Sequence, residues 1–225
     1  MKHKYLVWGW SLVLGLGVSA CGGRKPQSPT PNPTAPLPTA GIAGQRVALT
    51  PLELIGAEDT LHLDALVSDR RVSLDKSDSI IATLLGTRAP EVTWVPPAEL
   101  RHIARRAPGI VTDPDQMGTP FLRAERLVDV PDPLRSQLRT LMGLVGGRYA
   151  LVPAGLVFRK PPPPPSTPSP PSPYAKVPNT LAELSVVLID TRVGKVGWRT
   201  TARGEGDDAW SALARAVKNL TPGLP

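Results

Sequence analysis

Apolar and polar positions change period several times along the chain, and each change predicts an element. Arg46-Val47-Ala48-Leu49-Thr50 reads as a strand closed by Pro51. Asp75 or Ser77 is placed to cap a helix holding Ile80, Ile81, Leu84 and Leu85, with Gly86 near its end. Glu91 to Val95 reads as a second strand. Pro97 then stands where a first helical residue belongs, and Leu100, Ile103, Ala104 and Ala107 mark one helical face. From Asp132-Pro133, Leu134, Leu138, Leu141, Met142 and Val145 recur at helical spacing until Gly146-Gly147 stops them.

Tyr149 to Phe158 is apolar at every phase, which predicts a strand covered on both faces. Leu184–Ile189 and Lys195–Arg203 flank Asp190-Thr191-Arg192-Val193-Gly194, the chemistry of a hairpin turn. On the last strand Val196, Trp198 and Thr200 are expected on one face. Asp207 or Asp208 caps a closing helix with the stripe Trp210, Leu213, Ala214 and Val217. Parallel pairing of the first two strands needs a crossover helix, whereas the later strands pair antiparallel. The fold class is therefore α/β: a single mixed β-sheet of about five strands flanked by helices.

Two proline-rich tracts interrupt the pattern. Residues 21–45 carry Pro26, Pro29, Pro31, Pro33, Pro36 and Pro38 among Ser, Thr and Asn. Such a composition buries too little apolar surface to fold and favours extended polyproline II, so a disordered tether is expected. At about 3.1 Å per residue its upper reach is roughly 70 Å. Residues 160–178, with Pro161 to Pro165 continuous, read as a loop inserted into the domain, which spans 46–222.

The amino terminus changes the picture most. Lys2 and Lys4 precede an uncharged run from Leu6 to Val18, the layout of an export signal over residues 1–20. The run is shorter than the about 20 apolar residues that span a bilayer. Val18-Ser19-Ala20-Cys21 resembles the bacterial lipobox. The resemblance implies cleavage between Ala20 and Cys21, acylation of Cys21 with fatty chains such as palmitate, and anchorage in a bilayer. Two or three chains hold a protein where one does not. An ordinary secretory signal cut after Ala20 is the alternative. With Gly22 rather than Asp after the Cys, the expected location in a diderm host is the outer membrane, facing the periplasm.

Charge and composition then exclude classes. The chain of 225 residues has 26 Lys plus Arg against 19 acids; losing Lys2 and Lys4 with the signal lowers the net charge from +7 to +5. The densest pairs, Arg70-Arg71 and Arg105-Arg106, lack interleaved aromatics, which argues against nucleic acid. One Cys cannot form an internal disulfide. No nucleophile elbow and no phosphate-cradling glycine loop is found. Glu53, Glu58 and Asp59 are the only acid–base candidates, and His62 and His102 have no patterned partner. Asp113-Pro114-Asp115-Gln116-Met117-Gly118 fails as a calcium loop: Met117 stands where an oxygen ligand is needed, and position 12 is Ala124. Trp94, Trp198 and Trp210 each lie on an apolar stripe, the place of core residues. No catalytic residue, metal or cofactor is expected.

The segments Arg46 to Pro51, Val92 to Pro96, Gly147 to Val152 and Leu188 to Trp198 together resemble an envelope α/β module. That module is found in the TolB amino-terminal domain, the curli-secretion lipoprotein and lipoprotein activators of penicillin-binding proteins. TolB adds a propeller that this chain lacks, and polyproline cannot form the long amphipathic hairpins of a curli channel. The anchor, tether and small domain match the activator layout. The resemblance implies a non-catalytic adaptor with an envelope protein partner, such as a peptidoglycan synthase or a transport or secretion complex. The alternatives are an oligomeric scaffold and, behind it, a hydrolase with a dispersed site.

Overall fold

The computed structural model describes residues 41–163 and 178–225. In chain order the elements are β1 (Arg46–Leu49), β2 (Ile55–Ala57), α1 (Asp64–Ser68), α2 (Arg70–Arg88), β3 (Thr93–Val95) and α3 (Pro97–Arg106). Then come α4 (Leu134–Val145), β4 (Tyr149–Arg159), β5 (Thr180–Asp190), β6 (Lys195–Gly206) and α5 (Ala209–Leu220). The sheet order is β3-β1-β4-β5-β6. β1 pairs parallel with β3 and β4, while β4, β5 and β6 form an antiparallel meander. The architecture is the expected mixed α/β sheet flanked by helices.

Alternation along the strands sorts the core into two layers. Val47, Leu49, Leu151, Leu156, Phe158, Leu184 and Val186 face α2 and α5. Ala48, Ala150, Val152, Ala154, Val187 and Ile189 face α3 and α4. Ile42 is already buried in the first layer, four residues ahead of β1. Phe158 meets Trp210 edge to face, with centroids 6.5 Å apart, and Lys76 lies over the outer indole face at 4.3 Å. Trp94 and Trp198 pack on the same layer, and the Trp94 indole N–H donates to the Ala89 carbonyl at 3.0 Å.

One short strand is added and two expectations need correction. First, β2 is a sixth strand that continues the line of β1 along β4, pairing Ile55 with Leu156. The step between them faces a bulge at Pro153–Gly155 of β4, where a proline without an N–H is tolerated in a central strand. Second, α2 begins at Arg70, not at Asp75 or Ser77. Ser73 and Ser77 occupy the inward face that Ile81 and Leu85 continue, and the Ser77 hydroxyl donates to the Ser73 carbonyl at 2.8 Å. Third, Val196 and Trp198 face opposite layers. Ile189 pairs with Val196 and Leu188 with Trp198, so Gly197 is an extra residue that reverses the alternation.

Both ends of edge strand β6 are covered. Val196 N–H donates to the Val128 carbonyl (2.8 Å) near its start. Near its end, the Arg203 and Glu205 carbonyls accept from the Asn219 amide (2.8 Å) and the Arg215 guanidinium (2.9 Å) of α5. Asp208 starts that helix: its carboxylate accepts from the Trp210 and Ser211 N–H groups (2.8 and 3.0 Å), and the Asp208 N–H donates to the Ser211 hydroxyl (3.2 Å). Asp208→Ala is expected to cost about 1 kcal/mol, read by urea unfolding.

Candidate functional site

The most concentrated chemistry lies at a groove of about 510 Å³ between α2 and α3, lined by Arg71, Asp75, Asp78, Arg101 and Arg105 among others. Arg101 is its centre. Its Nη2 contacts Asp78 Oδ2 at 2.6 Å and Asp115 Oδ1 at 2.7 Å, and its Nε reaches Asp115 Oδ2 at 2.9 Å. Asp75 lies 3.4 Å from the same Nη2. Arg71 closes the cluster with contacts to Asp115 (3.1 Å) and Asp75 (3.2 Å). The other oxygen of Asp78 accepts the backbone N–H of Leu52 at 2.8 Å.

These contacts join four segments: α2, α3, the turn Pro114–Gln116 and the connection from β1 to β2. The Asp78 side chain is only 5% exposed and that of Arg101 13%. Burial pushes the Asp78 carboxyl up to about 6, against the pull of the Leu52 N–H and Arg101. Burial alone would also raise Asp115, but Arg101 and Arg71 outweigh it and hold that carboxyl below its ordinary value. Burial opposes the charge of Arg101 too, yet the hydrogen bonds it donates to Asp115 and Asp78 keep it above the usual arginine value. A carboxyl near 6 is in the range of catalytic acids. Both Asp78 oxygens already accept protein hydrogen bonds, however, so neither is aimed at a substrate. The cluster works as a clasp between helices.

The sequence candidates are not gathered around it. Glu53 accepts from the N–H groups of Met117 (3.1 Å), Gly118 (2.9 Å) and Thr119 (3.3 Å), holding the loop above it. Glu58 instead binds Arg159 (3.3 Å) and the Lys160 N–H (3.0 Å), and Asp59 opens the short 3-10 turn Asp59–Leu61. The three carboxylates therefore make no acid–base pair. His62 closes that turn in the left-handed region, and His102 is exposed on α3. Asp113 caps the turn Pro114–Gln116 through the Asp115 N–H (3.1 Å), so the calcium-like loop is filled by protein donors. Among the described residues no group of three or more ligating side chains could hold a metal ion.

Sequence reasoning missed the Asp78–Arg101–Asp115 cluster, whose members stand 23 and 14 residues apart. One signal could have found it: Ser77 and Asp78 lie on the helical face that Ile81 and Leu85 continue inward. A buried charge at a core position demands a charged partner. Ala20, Cys21 and the span Pro164 to Pro173 lie outside the described residues.

No family model matches the chain, and no curated protein matches it. Solved structures do. The chain is similar to the LpoB C-terminal domain from Salmonella enterica at 14% identity and a TM-score of 0.35, over 72% of this chain and 82% of that one. It is similar to a PelC dodecamer from Paraburkholderia phytofirmans at 16% identity and a TM-score of 0.35, over 81% and 90%. It is similar to lipoprotein GNA1162 from Neisseria meningitidis at 14% identity and a TM-score of 0.32, over 72% and 80%.

Proposed function

We propose that this chain is a lipid-anchored, non-catalytic adaptor of a bacterial cell envelope, whose α/β domain docks on a protein partner. The observation that carries the reading is the order of parts: the lipobox-like Val18-Ser19-Ala20-Cys21, a proline-rich arm, then one domain. Acyl chains on Cys21 fix the location, the arm sets reach and local concentration, and a domain face makes the contact. A further support is that the carboxylates of Asp78, Asp115, Glu53 and Glu58 all accept hydrogen bonds from protein donors on other segments. The partner class is a peptidoglycan synthase or a transport or secretion complex, met in the periplasm when the host is diderm.

The anchor is tested by metabolic labelling with an alkyne fatty acid. Wild type is expected to carry label on an amino-terminal peptide starting at Cys21. Cys21→Ser should lose the label and accumulate as uncut precursor. An unlabelled wild type, with the variant still cut after Ala20, would replace the anchor by an ordinary secretory signal. The adaptor role is tested by in-cell photo-crosslinking from positions spread over the domain. One captured envelope protein is the expected result, and capture of only its own copies would make the chain a scaffold.

A further inference from the structure

We infer that the groove between α3 and α4 is the docking face, and that it takes an acidic segment of a partner protein bearing an apolar side chain. This inference rests on the adaptor reading. The groove encloses about 300 Å³ and is lined by Ile103, Ala107 and Leu144, with Arg106 at its side. Leu144 is 51% exposed, and Ile110, whose N–H bonds the Ala107 carbonyl just past the end of α3, is 70% exposed. Apolar side chains that stay in water beside a concavity mark a contact surface.

Charge says what covers it. Helices α3 and α4 carry five arginines and one glutamate. That glutamate, Glu99, is matched with Arg46 at 3.4 Å. Arg101 belongs to the clasp, Arg135 pairs with Asp132, and Arg139 reaches the Arg192 carbonyl. Arg105 and Arg106 have no hydrogen-bond or ion-pair partner among the described residues. The unmatched Arg106 guanidinium beside an apolar floor selects a carboxylate next to an apolar side chain, whereas Arg105 lines the groove on the α2 side.

Other occupants fit less well. The chain's own proline-rich tracts carry Arg24, Lys25, Lys160 and Lys176 and no acid, so like charge excludes them. A second copy docking by two-fold symmetry would set these arginines against each other. A bilayer surface needs a broad apolar face, and this site is a narrow concavity.

The test places a photo-reactive phenylalanine analogue at Leu144 or Ile110 of the full-length chain in cells, with Val72 of α2 as the comparison position (67% exposed). Leu144 and Ile110 are expected to capture the same partner segment, with Asp or Glu flanking the linked apolar residue. Arg106→Glu should then lower the yield at least tenfold, and the milder Arg106→Gln should give an intermediate loss. Capture of lipid, of the chain's own copies or of a segment without acids would overturn the inference, as would a yield indifferent to charge reversal. Capture from Val72 alone would leave the adaptor reading standing and remove the groove. No capture from any position would remove both.

Discussion

Arg101→Met is expected to lower the unfolding free energy by about 3–5 kcal/mol near pH 7.5, the range for stranding a buried charge. The loss comes from Asp78, which would keep only the Leu52 N–H as donor while remaining out of water. Asp115 suffers less, because Arg71 still reaches it at 3.1 Å. Combining Arg101→Met with Asp78→Asn should recover much of the deficit, since no charge is then left buried. The exposed pair Arg71–Asp75 provides the contrast: Asp75→Ala should change stability by about 1 kcal/mol or less. Urea unfolding of the four proteins checks the set, and equal effects at Arg101 and Asp75 would mean the clasp is open in solution.

The same cluster gives a pH dependence with a definite sign. Asp78 takes its proton near 6 when folded, against 3.8 as the ordinary value. Between those values the folded state binds more protons, so stability falls as pH rises from about 4 to 7, by roughly 3 kcal/mol from this group. Asp115, Asp190 and Asp208 are shifted the other way, and what they contribute is lost as pH falls below about 4. Stability should therefore peak at about pH 4 and decline above it. Asp78→Asn should remove the decline between pH 5 and 7, whatever its absolute stability, and a decline that survives would assign it to another group.

The second large effect is expected from a single methyl group at Gly204. A Cβ there would lie 2.1 Å from the backbone nitrogen of Ala216 and 2.5 Å from the Ala212 carbonyl oxygen. At Gly206 it would lie 2.4 Å from the Ala212 nitrogen. Helix α5 thus rests backbone to backbone on β6, with Ala212 and Ala216 fully buried beneath it. Side chains can rotate away from a clash, but a helix backbone can only move as a body. Gly204→Ala is expected to cost about 3 kcal/mol, at the upper end for overpacking. Gly143, exposed inside α4 with nothing within 4 Å of its Cβ position, should respond with the opposite sign. Gly143→Ala is expected to stabilise by about 0.5–1 kcal/mol. Measured together by urea unfolding, two identical substitutions should split in sign. A neutral Gly204→Ala would mean that α5 is not seated on this strand.

The caps, stops and turns of this chain are written in local chemistry. Pro97 opens α3, Asp208 caps α5, Gly146 ends α4 with φ 76°, and the turn after Asp190 closes through Gly194 at φ 72°. Each depends on residues within one turn of one another, so periodicity and cap chemistry suffice to read it. The two-faced burial of β4 was legible for the same reason. Long-range packing set the other features. β2 is three residues long and exists because β4 offers it an edge. α2 starts at Arg70 with Ser73 and Ser77 buried on its inward face, and the extra residue Gly197 sends Trp198 to the layer opposite Val196. The clasp joins Asp78, Arg101 and Asp115, and the groove joins Leu144 to Ile103 across two helices. Such pairings bring together residues far apart in the chain, and their energies come from burial and partner geometry, which no window of neighbouring residues contains.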